Sequence, residues 1–249
     1  MKFKKKVVII TGASSGIGAA TAKKFSKKGA RVVIVGRNQT KLSAVAKHCC
    51  SPLVIRADIA DDDEARRVIN ETIKKFGQID VLVNNAGISL DNHGLLGNDM
   101  MQNYDAIMKV NLRAVVHLTS LAAPHLIKTK GNIINVSSNA GVIPPFGVGL
   151  SNYFFLKAAL NHFTVCAAVE LGVYGVRVNT LSPGPVKTDL LENGKSELTH
   201  DTLKQFTTLN RVSEPEEMAD VILFLASDKA RGVTGSNYIN DNGMIIKTS

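Results

Sequence analysis

Tryptophan is missing from this 249-residue chain, aromatic residues make up 5% of it, and there are three cysteines, Cys49, Cys50 and Cys166. So few cysteines, odd in number and without a Cys-x-x-Cys pair, exclude a disulfide framework and a thioredoxin-type motif. The adjacent Cys49-Cys50 pair reads as a reduced helix-end detail. Six histidines, at 48, 93, 117, 125, 162 and 200, show no His-x-x-x-His or other ligand cluster, so no metal is expected. Apolar residues reach 45%, yet no apolar stretch approaches the ~20 residues of a membrane helix, and no membrane contact is expected. Met1-Lys2-Phe3-Lys4-Lys5-Lys6 is charged and leads straight into an apolar run, with no secretory region or cleavage site. A cytoplasmic location is the resulting expectation.

Acidic residues are in the minority, 21 against 30 Lys and Arg, for a net charge of +9. Much of the excess sits in Lys4-Lys5-Lys6, Lys23-Lys24, Lys27-Lys28, Arg31 and Arg37. Lys23, Lys24, Lys27 and Lys28 fall on the polar side of a helical pattern whose other side carries Phe25, and a solvated helix face accounts for them. No nucleic-acid partner is expected. Attraction of an anionic cofactor is an added effect of the charge.

Short β-branched runs alternate with helical patterns along the whole chain. Strands are expected at Val7 to Thr11, Val32 to Val35, Leu53 to Ala57, Val81 to Asn84, Asn132 to Val136, Val176 to Leu181 and Ser236 to Ile239. Helical patterns such as Asp62 to Phe76 and Glu214 to Ala226 lie between them. The early strands are nearly continuous apolar runs, as in parallel sheets covered on both faces. The expected fold is α/β, a doubly wound, Rossmann-like parallel sheet of seven strands, in one domain spanning 1–249. Ligands of such a sheet bind beyond the C-terminal strand ends, near the switch point.

Two patterns carry chemistry. Lys6-Val7-Val8-Ile9-Ile10-Thr11 runs into Gly12-Ala13-Ser14-Ser15-Gly16-Ile17-Gly18, followed by a helical stripe of Ile17, Ala20, Thr21 and Phe25. Strand, glycine turn and helix N-terminus are what a pyrophosphate needs. Further on, Tyr153 and Lys157 stand one helical turn apart, downstream of Ser138. On a helix that spacing stacks phenol and ammonium on one face. A neighbouring cation is expected to draw the phenol pKa down from its ordinary ~10.

With Asn84-Asn85-Ala86-Gly87, Asn111 and the Pro183-Gly184…Thr188 segment, these motifs resemble the short-chain dehydrogenases/reductases over nearly the whole length. The resemblance implies hydride transfer between a nicotinamide and a ketone or secondary alcohol. Tyr153 would be the proton donor, Lys157 its pKa-lowering neighbour and ribose ligand, and Ser138 the hydrogen-bond partner of the substrate oxygen. Asn111 would hold a water that relays protons to the lysine. Ser137 is the rival of Ser138, and strand alternation lets one of them face the substrate. The implied cofactor site comprises Gly12, Ser14, Ser15, Gly16, Ile17, Gly18, Arg37, Asn38, Asp58, Ile59, Asn85, Ala86, Gly87, Pro183, Gly184, Val186 and Thr188, besides Tyr153 and Lys157. Asp58 reads equally as an adenine contact or a helix cap.

Strand two ends in Val35-Gly36-Arg37-Asn38. An NAD-preferring site places an acidic side chain there; Gly36 leaves room and Arg37 suits a 2′-phosphate, so NADP(H) is expected over NAD(H). A surface arginine capping the turn is the other reading, and Ser15 stands where some NADP-dependent relatives carry a second basic residue. Three departures from the family pattern stand out: the fifteen residues from Ser138 to Tyr153, Leu156 before the lysine, and Asn240-Asp241-Asn242-Gly243-Met244 near the C-terminus. The substrate loop, Val186 to Asn210, carries Leu190, Leu191, Leu198, Leu203 and Phe206; with Phe146 and Leu150 these suggest an apolar small molecule of sterol, isoprenoid or 3-oxoacyl type. The resemblance also implies a homotetramer, and Phe154, Phe155 and Leu156 beside Phe163 and Val165 exceed what one helix face can bury. A nucleotide-binding regulatory or scaffold protein without turnover is the alternative from another class.

Overall fold

The computed structural model describes residues 3–90, 94–145, 147–190 and 199–247. Phe146, Leu191 and Leu198, expected at the substrate end, lie outside the described residues. Seven strands form one sheet: β1 (Val7–Thr11), β2 (Arg31–Gly36), β3 (Leu53–Arg56), β4 (Val81–Asn84), β5 (Asn132–Val136), β6 (Arg177–Pro183) and β7 (Asn237–Asn240). Their spatial order is β3-β2-β1-β4-β5-β6-β7 and every pairing is parallel. The chain reverses its direction of travel between β1 and β4, and the crevice over those two ends is where the site lies.

Both faces are covered, which is why β1, β4 and β5 are buried throughout. Val8 and Ile10 point toward α1 (Gly16–Lys27), where Phe25 is fully buried; Val7 and Ile9 point to the opposite core with Val68 and Ile69 of α3 (Asp62–Phe76). Between α1 and α3 the short helix α2 (Gln39–Ala46) follows β2. Asp61 caps α3 by accepting from the backbone N–H groups of Asp63 and Glu64, and Gly77, left-handed at φ 76°, ends it. Lys23, Lys27 and Lys28 are exposed on α1, and Lys24 pairs with Asp220 at 2.6 Å, so the basic run is a solvated face.

Helix α4 (Met100–Met108) passes through a π-helical turn, Lys109–Arg113, into α5 (Ala114–Thr129). The long α6 (Ser151–Gly172) follows β5, then the short α7 (His200–Lys204) and α8 (Pro215–Ala226), the last opened by a capping box of Glu214 and Glu217. By length and composition α6 could cross a membrane, although Asn152, Lys157, Asn161 and His162 interrupt its apolar run. Here it lies on the sheet, with Leu156, Leu160, Thr164 and Ala168 buried. Phe154 and Leu156 are 6% and 2% exposed, so they belong to the chain's own core, contrary to the expectation that they form an outer face. The uncovered side of α6 is instead Phe155, Val165, Val169 and Val173.

A buried polar ladder ties the central strands to α6. Asn84 donates to the side-chain oxygen of Asn135 (2.9 Å), Asn135 to the Thr164 hydroxyl (2.9 Å), and the Thr180 hydroxyl to that of Thr164 (2.7 Å). Buried hydrogen bonds of this kind fix register and orientation. The ladder ties the middle of α6 to the sheet at Thr164.

Candidate active site

The C-terminal strand ends open on a cleft of about 930 Å³. At its floor the β1 end is locked to the β4 end. The Thr11 hydroxyl accepts from the backbone N–H groups of Asn85 and Ala86, both at 3.0 Å, while the Asn85 amide donates to the Thr11 and Gly12 carbonyls at 2.9 and 3.3 Å. Thr11 was not among the expected site residues, although it borders the glycine loop in the sequence.

The glycine loop turns into α1 beneath the cleft. Gly16, at φ +51°, lies so close to Thr188 that a Cβ would approach its methyl group to 2.8 Å. Gly18 departs from the expectation that it touches the cofactor: it does not line the cleft. A Cβ there would stand 2.3 Å from the Gly12 carbonyl oxygen, so its work is to let α1 pack on the loop. Ser15 caps α1 without a side-chain hydrogen bond, and the first turn contains no acidic residue. The N-terminal N–H groups and the helix dipole are therefore available to an anion.

Every other residue of the expected cofactor set lines the cleft, from Gly12, Ser14, Ser15, Gly16 and Ile17 to Pro183, Gly184, Val186 and Thr188. Arg37 and Asn38 stand at one end, Asp58 and Ile59 beside them, and Asn85, Ala86 and Gly87 at the centre. Asn38 caps α2 by accepting from Lys41 N–H at 2.9 Å. Asp58 accepts from Ala60 N–H at 3.0 Å, a turn contact, while it also faces the cleft. Arg37 has no ion-pair partner among the described residues.

At the other end α6 delivers Tyr153 and Lys157, and β5 delivers the serines. Ser137 turns inward, donating to the Lys157 carbonyl at 3.2 Å. Ser138 lines the cleft with Tyr153 and accepts from Ala140 N–H at 3.1 Å, so strand alternation resolves in its favour. Lys157 is buried, its ammonium 3.0 Å from the Val136 carbonyl and 5.5 Å from the centre of the Tyr153 ring. Asn111 is 1% exposed and does not line the cleft. Its amide donates to the Ile88 carbonyl and accepts from the Ile88 N–H, both at 2.8 Å, from within the π-helical turn. It thus pins the segment after Gly87, where a Cβ would lie 3.4 Å from the Asn111 oxygen and 3.8 Å from the Lys157 ammonium.

The electrostatics amend one expectation. Burial pushes the Tyr153 phenol up to about 12, opposed by the hydrogen bond from Ser138. Burial brings the Lys157 ammonium down to about 8. Desolvation outweighs any lowering of the phenol pKa by the lysine, whose ammonium bonds the Val136 carbonyl. Tyr153 is partly exposed to the cleft, so water there offsets part of that burial. A neutral phenol is ready to give a proton rather than take one.

The substrate end is apolar. Leu90, Leu150, Phe154, Leu190, Leu203 and Met244 line it, whereas Phe206 does not. Of the departures from the family pattern, Leu156 packs into the core. Asn242 takes a left-handed backbone, φ 54°, and its amide donates to the Ser213 hydroxyl at 2.9 Å, so the altered C-terminal turn is built in.

Residues 12–245 match the family model described as "Enoyl-(Acyl carrier protein) reductase". A 3-oxoacyl-(acyl-carrier-protein) reductase of Thermotoga maritima is 37% identical, covering 99% of this chain and 100% of its own. The meso-2,3-butanediol dehydrogenase of Serratia marcescens is 36% identical, over 98% and 96%. The solved structure of a 3-ketoacyl-(acyl-carrier-protein) reductase from Brucella melitensis, complexed with NADH, superposes with a TM-score of 0.88 at 31% identity, covering 98% of this chain and 99% of that one.

Proposed function

The chain belongs to the short-chain dehydrogenase/reductase family, and on that premise we propose that it is an NADP(H)-dependent reductase of apolar ketones, of the 3-oxoacyl kind. As a member it is an oxidoreductase acting on carbonyl and alcohol groups. The observation carrying the finer reading is a single cleft with Ser138, Tyr153 and Lys157 at one end and Gly36 and Arg37 at the other.

The residues fit a dinucleotide. The uncapped N–H groups of α1 suit its pyrophosphate, the cleft walls at Asp58 and Ile59 its adenine, and the guanidinium of Arg37 a 2′-phosphate. When bound, the nicotinamide supplies the hydride. Ser138 would hold the ketone oxygen beside the phenol, and Tyr153 would deliver its proton to that oxygen as negative charge develops. Lys157, charged at neutral pH, stabilises the phenolate left behind. At neutral pH Tyr153 starts as the neutral phenol, the form that reduction consumes.

The apolar wall of Leu90, Leu150, Leu190 and Leu203 favours an acyl-chain substrate, as named for the Thermotoga relative, over a small diol, as named for the Serratia one. A panel of ketones and secondary alcohols, followed by nicotinamide absorbance with each cofactor, tests the reading. Turnover of 3-oxoacyl thioesters with NADPH supports it. Turnover confined to small polar diols with NADH rejects it, and binding of cofactor without any turnover favours a regulatory protein.

A further inference from the structure

Near the end of the cleft that holds Arg37, a second cation faces the crevice from α2. Lys41 sits in the first turn of that helix, behind the Asn38 cap, and lines the cleft together with Arg37. Its ammonium reaches across the cleft mouth to the Asp189 carboxylate at 2.6 Å. Asp189 follows Thr188, 148 residues downstream, and lines the cleft together with Ser15 of the glycine loop. Lys41 and Asp189 thus bridge the opening.

The pair has the character of a placeholder. Both side chains are well exposed, at 53% and 36%, and an exposed ion pair contributes little to stability. A phosphate carries more charge than a carboxylate and offers more acceptor oxygens, so it competes well for one ammonium. A carboxylate at the cleft mouth would also repel a phosphate unless a cation stood between them.

Building on the NADP(H) reading above, we propose that Lys41 is a second cation for the cofactor's 2′-phosphate, occupied by Asp189 until the phosphate displaces that carboxylate. Arg37 supplies the planar donor and Lys41 the point charge. Asp189 works against the phosphorylated cofactor by competing for Lys41, and the preference for NADP(H) is the balance of the two.

The test compares adenosine 2′,5′-bisphosphate with adenosine 5′-monophosphate by calorimetry; these probes differ only in the 2′-phosphate, and no turnover is needed. Lys41→Met should weaken the bisphosphate about tenfold, the range of a charge-assisted hydrogen bond, and leave the monophosphate within about twofold. Asp189→Asn should tighten the bisphosphate severalfold. The opposite signs are decisive: a tie that merely holds α2 to the β6 loop would make both substitutions weaken both probes alike, and that result overturns the proposal. If Arg37→Ala abolishes the preference for the bisphosphate while Lys41→Met leaves it intact, Lys41 has no such role although the NADP(H) reading stands. Equal affinities of the unmodified protein for the two probes would reject both.

Discussion

The Lys157 ammonium stands beside the Tyr153 ring but bonds the Val136 carbonyl, at 3.0 Å, instead of the phenol. The two groups share a helix face while each is shifted by its own burial, the phenol upward and the ammonium downward. Removing the phenol oxygen alone isolates its part. Tyr153→Phe should lower turnover at least a hundredfold, within the range of general acid catalysis, while cofactor affinity measured by fluorescence stays within about threefold. Retention of more than about a hundredth of the turnover would show that another group delivers the proton.

The lysine makes pH dependence readable. Its folded pKa of about 8 lies below the ordinary value of 10.5, so between those values the unfolded chain binds more protons and stability rises with pH. Below about 8 both states are charged and the full penalty of burial applies. The stability of the unmodified protein relative to Lys157→Met, from urea unfolding at pH 7 and pH 10, should therefore increase by up to about 3 kcal/mol. For the same reason kcat/KM for ketone reduction should fall as pH rises through about 8. A flat difference across this window would mean the ammonium is better solvated than its surroundings allow.

The end of β2 decides between the cofactors. A Cβ at Gly36 would meet Leu42 and Ser14 at 3.5 Å, ordinary contact, so a side chain fits there. Gly36→Asp should shift preference toward NADH. Arg37→Ala should weaken NADPH selectively by about 10- to 100-fold. Comparison of dissociation constants for NADPH and NADH across the three proteins checks this.

Packing of the loop on α1 has its own signature. Gly18→Ala would drive a methyl group into the Gly12 carbonyl, costing about 3 kcal/mol or more. Melting should occur roughly 6–12 °C lower, and cofactor binding should weaken with it. An unchanged melting temperature would show that the loop can yield.

We propose a tetramer built partly on α6, where Val169 and Val173 are 70% and 79% exposed beside Phe155 and Val165. Val169→Glu should reduce the mass seen by sedimentation at micromolar concentration. A monomeric mass for the unmodified protein would reject the assembly.

Strand positions were legible because strands covered on both faces must be apolar throughout: β1, β4 and β5 run over the expected residues. Ends drifted where a strand passes into the site, as β6 does by continuing to Pro183. The cleft lining was legible because motif order maps onto strand order in a parallel sheet. Three features were not. The π-helical turn holds Asn111 in two bonds to Ile88, which no local pattern announces. The Asn84–Asn135–Thr164–Thr180 ladder joins polar residues hidden singly in apolar segments. The fate of α6 needed its surroundings, since its composition alone fits a membrane, a core or an interface.

Hydride transfer itself is the central claim. It is tested most directly by mixing the protein with NADPH and a 3-oxoacyl thioester and following loss of nicotinamide absorbance, with Tyr153→Phe run beside it. The account predicts steady oxidation of NADPH by the unmodified protein, slower by a large factor with NADH, and almost none with Tyr153→Phe. Equal rates for unmodified and Tyr153→Phe proteins, or no oxidation of either cofactor with any ketone, would contradict it.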